Sequence, residues 1–295
     1  MEHNSDLGDF LRSHRDRLTP DAAGLPSGPG ARRVPGLRRE EVALLAGVSP
    51  DYYTRLEQGR HPHVSEAVLT AVARALRLND GERDYLFALT RPRPTAPQSR
   101  RSPRAERTRP EVHRMLDVVG GVTPALVVNH RKDVIASNRL ARALIADFDV
   151  LPHRERNFAR YLLLDPAARD RYENWDEVAE TAVAALRLSA GRHRDDRQLN
   201  ELVGELLLKV PEFRTWWDSH RVVQCAYGVH QFRHPIVGSL ALHYEILTFQ
   251  ADPDQGLILY TAEEGSSSAE ALALLASWSA PSAPTPTSTR TDRQR

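Results

Sequence analysis

The sequence predicts two folds in series: an all-α domain of five helices, then an α+β domain built on an antiparallel sheet with a helical insert. Three observations carry this. Apolar residues recur at helical spacing between Leu7 and Leu89. Runs rich in β-branched residues begin only after Pro110. Between the two lies RPRPTAPQSRRSPRAERTRP, whose prolines and arginines mark an extended connection. The chain therefore divides into residues 1–90, a linker 91–110, a second domain 111–279 and a tail 280–295. A length of 295 residues with 41% hydrophobic content suits two ordinary cores.

The first helix runs from Leu7 to Leu18, with Leu7, Phe10, Leu11 and Leu18 on one stripe, and TPDAAGLPSGPG follows as a long flexible arm that leads to Arg32 and Arg33. Residues 37–59 read LRREEVALLAGVSPDYYTRLEQG. Arg39 to Ala46 is a helix with Val42, Ala43 and Ala46 inward, and Gly47 supplies the left-handed residue that ends it. Ser49 caps the next helix, Pro50 opens it, Leu56 packs back onto the first, and Gly59 closes it. A small residue, a turn glycine and two core apolars at these offsets make a helix-turn-helix, whose second helix enters the DNA major groove.

With Val48, Tyr53 and Leu56 inward, Asp51, Thr54, Arg55 and Gln58 face outward and Tyr52 lies on the flank. Arg55 is the candidate for a bidentate contact to guanine, while Asp51 either accepts from a cytosine or orients Arg55. Arg38, Arg39, Ser49 and Arg60 complete the expected DNA-binding set, the arginines near phosphate. A fourth helix, capped by Ser65, turns Val68, Leu69, Val72 and Leu76 inward; a fifth, capped by Asn79, carries Tyr85, Leu86 and Leu89. The linker holds five arginines against Glu106 between Ala96 and Pro110, and reads either as a segment that brushes the DNA backbone or as a plain solvated spacer.

Beyond Pro110, PALVVN, KDVIAS, SLALHYEILTF and GLILYTA read as strands. In the longest, Leu240, Leu242, Tyr244 and Ile246 alternate with Ser239, Ala241, His243 and Glu245, as in an antiparallel sheet with unequal faces. The intervening helical insert is clearest at Leu199, Leu202, Val203, Leu206, Leu207 and Val210, before Pro211. A last helix spans Ser268 to Trp278, and the tail after it lacks bulky apolar residues and is expected to be disordered.

A net charge of +1 excludes a bulk polycation, so DNA affinity must come from local placement. Lys132 and Lys209 are the sole lysines. Cys225 is the one cysteine and permits no intramolecular disulfide; it reads as an inert core residue or a redox sensor. No apolar leader and no membrane-length run stands in the sequence, so the cytoplasm is the expected location and no membrane partner is expected. Twelve histidines, His61 and His63 among them, fall into no paired metal-ligand spacing, and no metal is expected. Gly120 and Gly121 lack a phosphate-binding fingerprint, His234 and His243 read as structural residues, and no nucleophile or acid/base set marks an enzyme. Phe213, Trp216, Trp217 and Tyr244 read either as cavity lining or as core.

GLRREEVALLAGVSPDYYTRLEQGR followed by SEAVLTAVARALRL resembles the phage-repressor-like XRE class, in particular its MmyB-like branch. LLLDPAARDRY, LVGELL, PEFRTWW, FRHPIVG and LILYTAEEGSSSAEALALL resemble that branch's ligand-binding domain, so the likeness runs from Leu7 to Trp278. It implies a PAS-like second domain, a curved antiparallel sheet with flanking helices that takes a small apolar or fatty-acid-like effector, and adds Asn138 as a candidate contact. The chain departs from the family pattern at Val64, with the proline displaced to Pro62, at Ser137 in place of a tryptophan, and across Arg221 to Gln231, which lacks a basic cluster. The expected partners are operator DNA, a small hydrophobic effector and a second copy of the chain; no cofactor is expected. The alternatives are a regulator whose second domain only dimerises and a small-molecule-binding protein without a regulatory role.

Overall fold

The computed structural model describes residues 5–26, 34, 36–60, 64–90, 107–223 and 226–280. Arg32, Arg33, the His61–His63 loop, the linker up to residue 106, Cys225 and the tail from residue 281 lie outside them.

Five helices form first: α1 (Ser5–Arg17), α2 (Arg39–Ala46), α3 (Pro50–Glu57), α4 (Glu66–Ala75) and α5 (Asp80–Thr90). The predicted turn chemistry is in place. Gly47 ends α2 at φ 67°, and the Ser49 hydroxyl accepts from the Tyr52 amide at 3.1 Å above Pro50 at the first helical position. Asn79 and Glu82 exchange hydrogen bonds of 2.9 and 3.0 Å, a reciprocal cap on α5. Phe10, Leu11, Leu37, Val42, Ala43, Tyr53, Leu56, Val72 and Leu86 close one dry core, with Val48 partly buried at its edge.

The second unit consists of α6 (Pro110–Val119), β1 (Ala125–Asn129), β2 (Val134–Ser137), α7 (Arg139–Leu144), α8 (Phe158–Leu164), α9 (Pro166–Arg171), α10 (Trp175–Arg192), α11 (Arg197–Lys209), α12 (Pro211–Asp218), β3 (Tyr227–His234), β4 (Gly238–Phe249), β5 (Asp252–Thr261) and α13 (Ser267–Trp278). The five strands pair antiparallel in the order β2-β1-β5-β4-β3. This is the expected PAS-like α+β unit, with α8 to α12 as the helical insert between strands two and three.

All five residues of β1 are buried because both sheet faces are covered. Leu126 and Val128 face the main core with the insert, whereas Ala125 and Val127 face α6 through Val112 and Leu116. A strand in that position has no wet face, which is why PALVVN does not alternate. β4, nearer the edge, does alternate: Leu240, Leu242 and Tyr244 are buried and their neighbours are exposed.

Candidate nucleic-acid interface and its link to the second unit

On α3 the outward side chains of Asp51 and Arg55 are exposed, with Tyr52, Thr54 and Gln58 half-buried and Arg60 exposed just beyond. Arg55 Nε lies 3.4 Å from the Asp51 carbonyl, a long contact that leaves the guanidinium facing water. Asp51 thus reaches Arg55 through its backbone and not through its carboxylate. Arg38 holds the start of α2 through its backbone N–H, which donates to Glu41 at 2.7 Å, while its side chain stays exposed. The face combines a fork donor, hydroxyl and amide groups, and flanking cations, the set that reads base edges and phosphates.

What aims α3 is a carboxylate that sequence reasoning missed. The Glu57 side chain is fully buried, and Arg15 reaches it with Nε at 2.9 Å and Nη2 at 3.2 Å. Arg39 adds Nε and Nη2, each at 2.9 Å, and Arg12 Nε stands 3.9 Å away. Arg15 Nη1 also donates to the Leu37 carbonyl at 2.8 Å. One acid therefore ties α1, the start of α2 and the end of α3 together. Gly8 allows the approach, since a Cβ there would lie 2.3 Å from the Glu57 carbonyl oxygen. Arg39, expected near phosphate, is half-exposed and is in addition a positioning residue for α3.

The two units share a packed interface. Leu188 of α10 and Val222 belong to the core of the first unit. Gly191 lies against the ring of Tyr85, Arg192 pairs with Asp84 at 3.0 Å, Arg194 Nη2 donates to the Leu89 carbonyl at 2.9 Å, and the Ser13 hydroxyl donates to the Ser219 carbonyl at 2.8 Å. Burial, with Arg17 and His220 close by, pushes the His14 imidazole down to about 3. Burial and Arg187 push His220 down to about 4. Both are neutral at physiological pH, so the 3.8 Å approach of His14 to Glu82 is no ion pair there.

The four expected effector contacts do not converge. The Asn138 amide is consumed locally: Oδ1 accepts from the Ala125 and Ala141 amides at 3.1 and 2.9 Å, and Nδ2 donates to the Thr123 carbonyl at 2.7 Å. Phe213 stacks on Trp217 at 5.4 Å, and Trp217 in turn lies under the buried Arg187, whose Cζ is 4.5 Å from the ring and whose Nη2 donates to the Trp217 carbonyl. Tyr244 packs elsewhere, 4.4 Å from His230, in a nest with Tyr172, Phe232 and Tyr260. Two open clefts are lined by none of the four, although Thr123 and Tyr260, which wall the first, neighbour Asn138 and Tyr244. One, of about 610 Å³, is mostly apolar and is walled by Val122, Thr123, Tyr260, Leu272 and Ala276 with Arg139 at its border. The other, of about 640 Å³, is polar and lies between the units, bordered by Asp80, Arg83, Asp84, Arg192, His193 and Asp254. No helix among the described residues is long and apolar enough to cross a membrane.

Comparison with known families agrees with this anatomy. Residues 108–275 match the MmyB-like transcription regulator ligand binding domain, and residues 6–86 match a helix-turn-helix domain. No curated protein matches the chain. The first match covers more than half of the sequence, and the chain belongs to the MmyB-like transcription regulators. It is accordingly a DNA-binding transcription regulator with a ligand-binding domain.

Proposed function

We propose that this MmyB-like regulator reads its operator as a homodimer with Asp51, Thr54, Arg55 and Gln58, and that a small hydrophobic effector with one polar end controls the reading through the interface between the units. The observation that carries it is the exposed outer face of α3, held at a fixed angle by the buried Glu57. Recognition helices of this kind gain specificity by using two half-sites about one helical turn apart. The edge strand β3 favours a second copy, since Tyr227 and Val229 are 76% and 40% exposed there.

For the effector, the apolar cleft beside α13 offers hydrocarbon walls and a single cation, Arg139, matched to a fatty-acid-like molecule. The continuous packing from Phe213 through Trp217 and Arg187 to the Tyr85 side of the interface supplies a route by which a change in the insert reaches the first unit. An effector acts only by binding the DNA-competent and incompetent arrangements unequally. The test is selection of duplexes from a random pool by the full chain, followed by affinity against salt. We expect an imperfect palindrome and a steep salt dependence. Enrichment of no sequence, or a footprint of one isolated half-site at saturation, overturns the reading.

A further inference from the structure

Three residues far apart in sequence meet where the turn after β1, the end of α10 and the start of β5 converge. The His130 and His193 rings stack at 4.0 Å with 28° between planes, and His193 Nε2 lies 3.3 Å from Asp254 Oδ1. One ligand atom each from His130, His193 and Asp254 fall within 4.8 Å of one another. His130 Nε2 is 2.7 Å from Asp196 Oδ2. That carboxylate is itself fixed, because its Oδ1 caps α11 by accepting from the Leu199 amide at 3.0 Å and its Oδ2 accepts from Arg131 Nη1 at 3.0 Å. The other ring nitrogen, His130 Nδ1, is buried and has no hydrogen-bond partner.

An imidazole beside a carboxylate keeps its proton on the nitrogen that faces the acid. Nδ1 is then a bare lone pair, buried and without a partner, which proteins avoid unless something else fills the place. A carboxylate that orients one nitrogen of a histidine while the other nitrogen takes a metal is the usual outer shell of a metal site. We propose that His130 Nδ1, His193 and Asp254 bind one divalent transition-metal ion of the zinc type, that Asp196 is the positioning residue behind His130, and that water takes the fourth place.

Ligand chemistry favours such an ion over calcium or magnesium, which prefer all-oxygen sites. Tetrahedral zinc with bonds of about 2.0–2.1 Å holds its ligand atoms roughly 3.4 Å apart. His193 Nε2 and Asp254 Oδ1 already stand at 3.3 Å, and closing the site requires the stacked His130 and His193 rings to tilt until their lone pairs meet at one point. The fourth position opens on the polar cleft, which His193 and Asp254 share with Asp80 and Asp84 of α5. The ion would thus sit at the boundary between the ligand-binding and DNA-binding units.

The full chain, stripped with a chelator and dialysed free of it, is titrated with Zn²⁺ in a calorimeter. We expect one Zn²⁺ per chain and a raised melting temperature. Asp196→Asn should weaken binding about tenfold to hundredfold, as outer-shell changes do, and His130→Ala and His193→Ala should weaken it more strongly still. His113→Ala, at an exposed position on α6, should change nothing. Should His130→Ala fail to fold by circular dichroism, His193→Gln at the end of α10 is the decisive variant. Absence of stoichiometric binding overturns the proposal, as does binding that survives unchanged in His193→Gln, which assigns the ion to other histidines.

Discussion

Gly191→Ala is the sharpest perturbation of the interface between the units. In an ordinary helix interior the change favours the helix by about 1 kcal/mol. Here a Cβ would stand 2.2 Å from Tyr85 Cε2 and 2.6 Å from Cδ2. Carbon atoms rest at about 3.5–4.0 Å, so the ring or α10 must retreat by more than an ångström. Tyr85 cannot yield easily, being 3% exposed and held edge-to-face by Phe10 at 5.2 Å. Overpacking of this kind costs about 1–3 kcal/mol, which cancels the helix gain and leaves a net loss of about 1 kcal/mol. For a domain of the size of residues 108–275, which holds Gly191, that lowers the melting temperature by about 2–4 °C. The assay is calorimetric melting of the full chain, with Gly204→Ala on α11 as the control, since no atom lies within 4 Å of a Cβ there. The control should be neutral or stabilised. A Gly191→Ala protein that melts like the control, or higher, refutes the close packing of α10 on α5.

Three further outcomes follow from the geometry. Glu57→Gln removes the buried counter-charge of Arg15, leaving it only the half-exposed Asp16 at 2.8 Å, and should cost about 3–5 kcal/mol in denaturant unfolding; a loss below about 1 kcal/mol contradicts its role as the hub of α1, α2 and α3. Arg55→Ala should lose about 1–3 kcal/mol on the selected operator and little on random duplex, whereas Arg39→Ala should weaken both alike and also lower stability; equal losses from Arg55→Ala on both duplexes deny it a base contact. Burial pushes His14 and His230 down to about 3, below the unfolded value near 6.5. Their stabilising contribution is therefore complete above that pH and falls by about 1.4 kcal/mol per pH unit for each as pH drops below it. Unfolding free energies that stay level from pH 7 to pH 5 contradict neutral buried imidazoles.

The helix-turn-helix was legible because its determinants are local: Gly47, Ser49 and Pro50 act on their own backbone, and the inward residues of α2 and α3 lie within one or two turns of each other. β4 was legible for the same reason, through its alternation. β3 was missed because its inward residues are His230, Phe232 and His234, so two of its three core positions read as polar. The Glu57 hub was hidden by distance, since an acid at the end of an amphipathic helix reads as solvent-facing until Arg15 and Arg39 arrive from other helices. The His130, His193 and Asp254 cluster comes from three elements and has no spacing to find. Phe213, Trp217 and Tyr244 were singled out by residue type, which does not distinguish a cavity wall from a packed core, and Asn138 by the family resemblance; Phe213 and Trp217 stack on each other, while Tyr244 and Asn138 have other partners.

Energetic coupling between the small molecule and the operator is read most directly from the operator affinity of the full chain with its small molecule bound, verified by mass spectrometry, and after its removal. Coupling through the shared interface predicts affinities that differ tenfold or more, equivalent to about 1.4 kcal/mol. Identical affinities in the loaded and stripped states would contradict it and leave the second unit a dimerisation module.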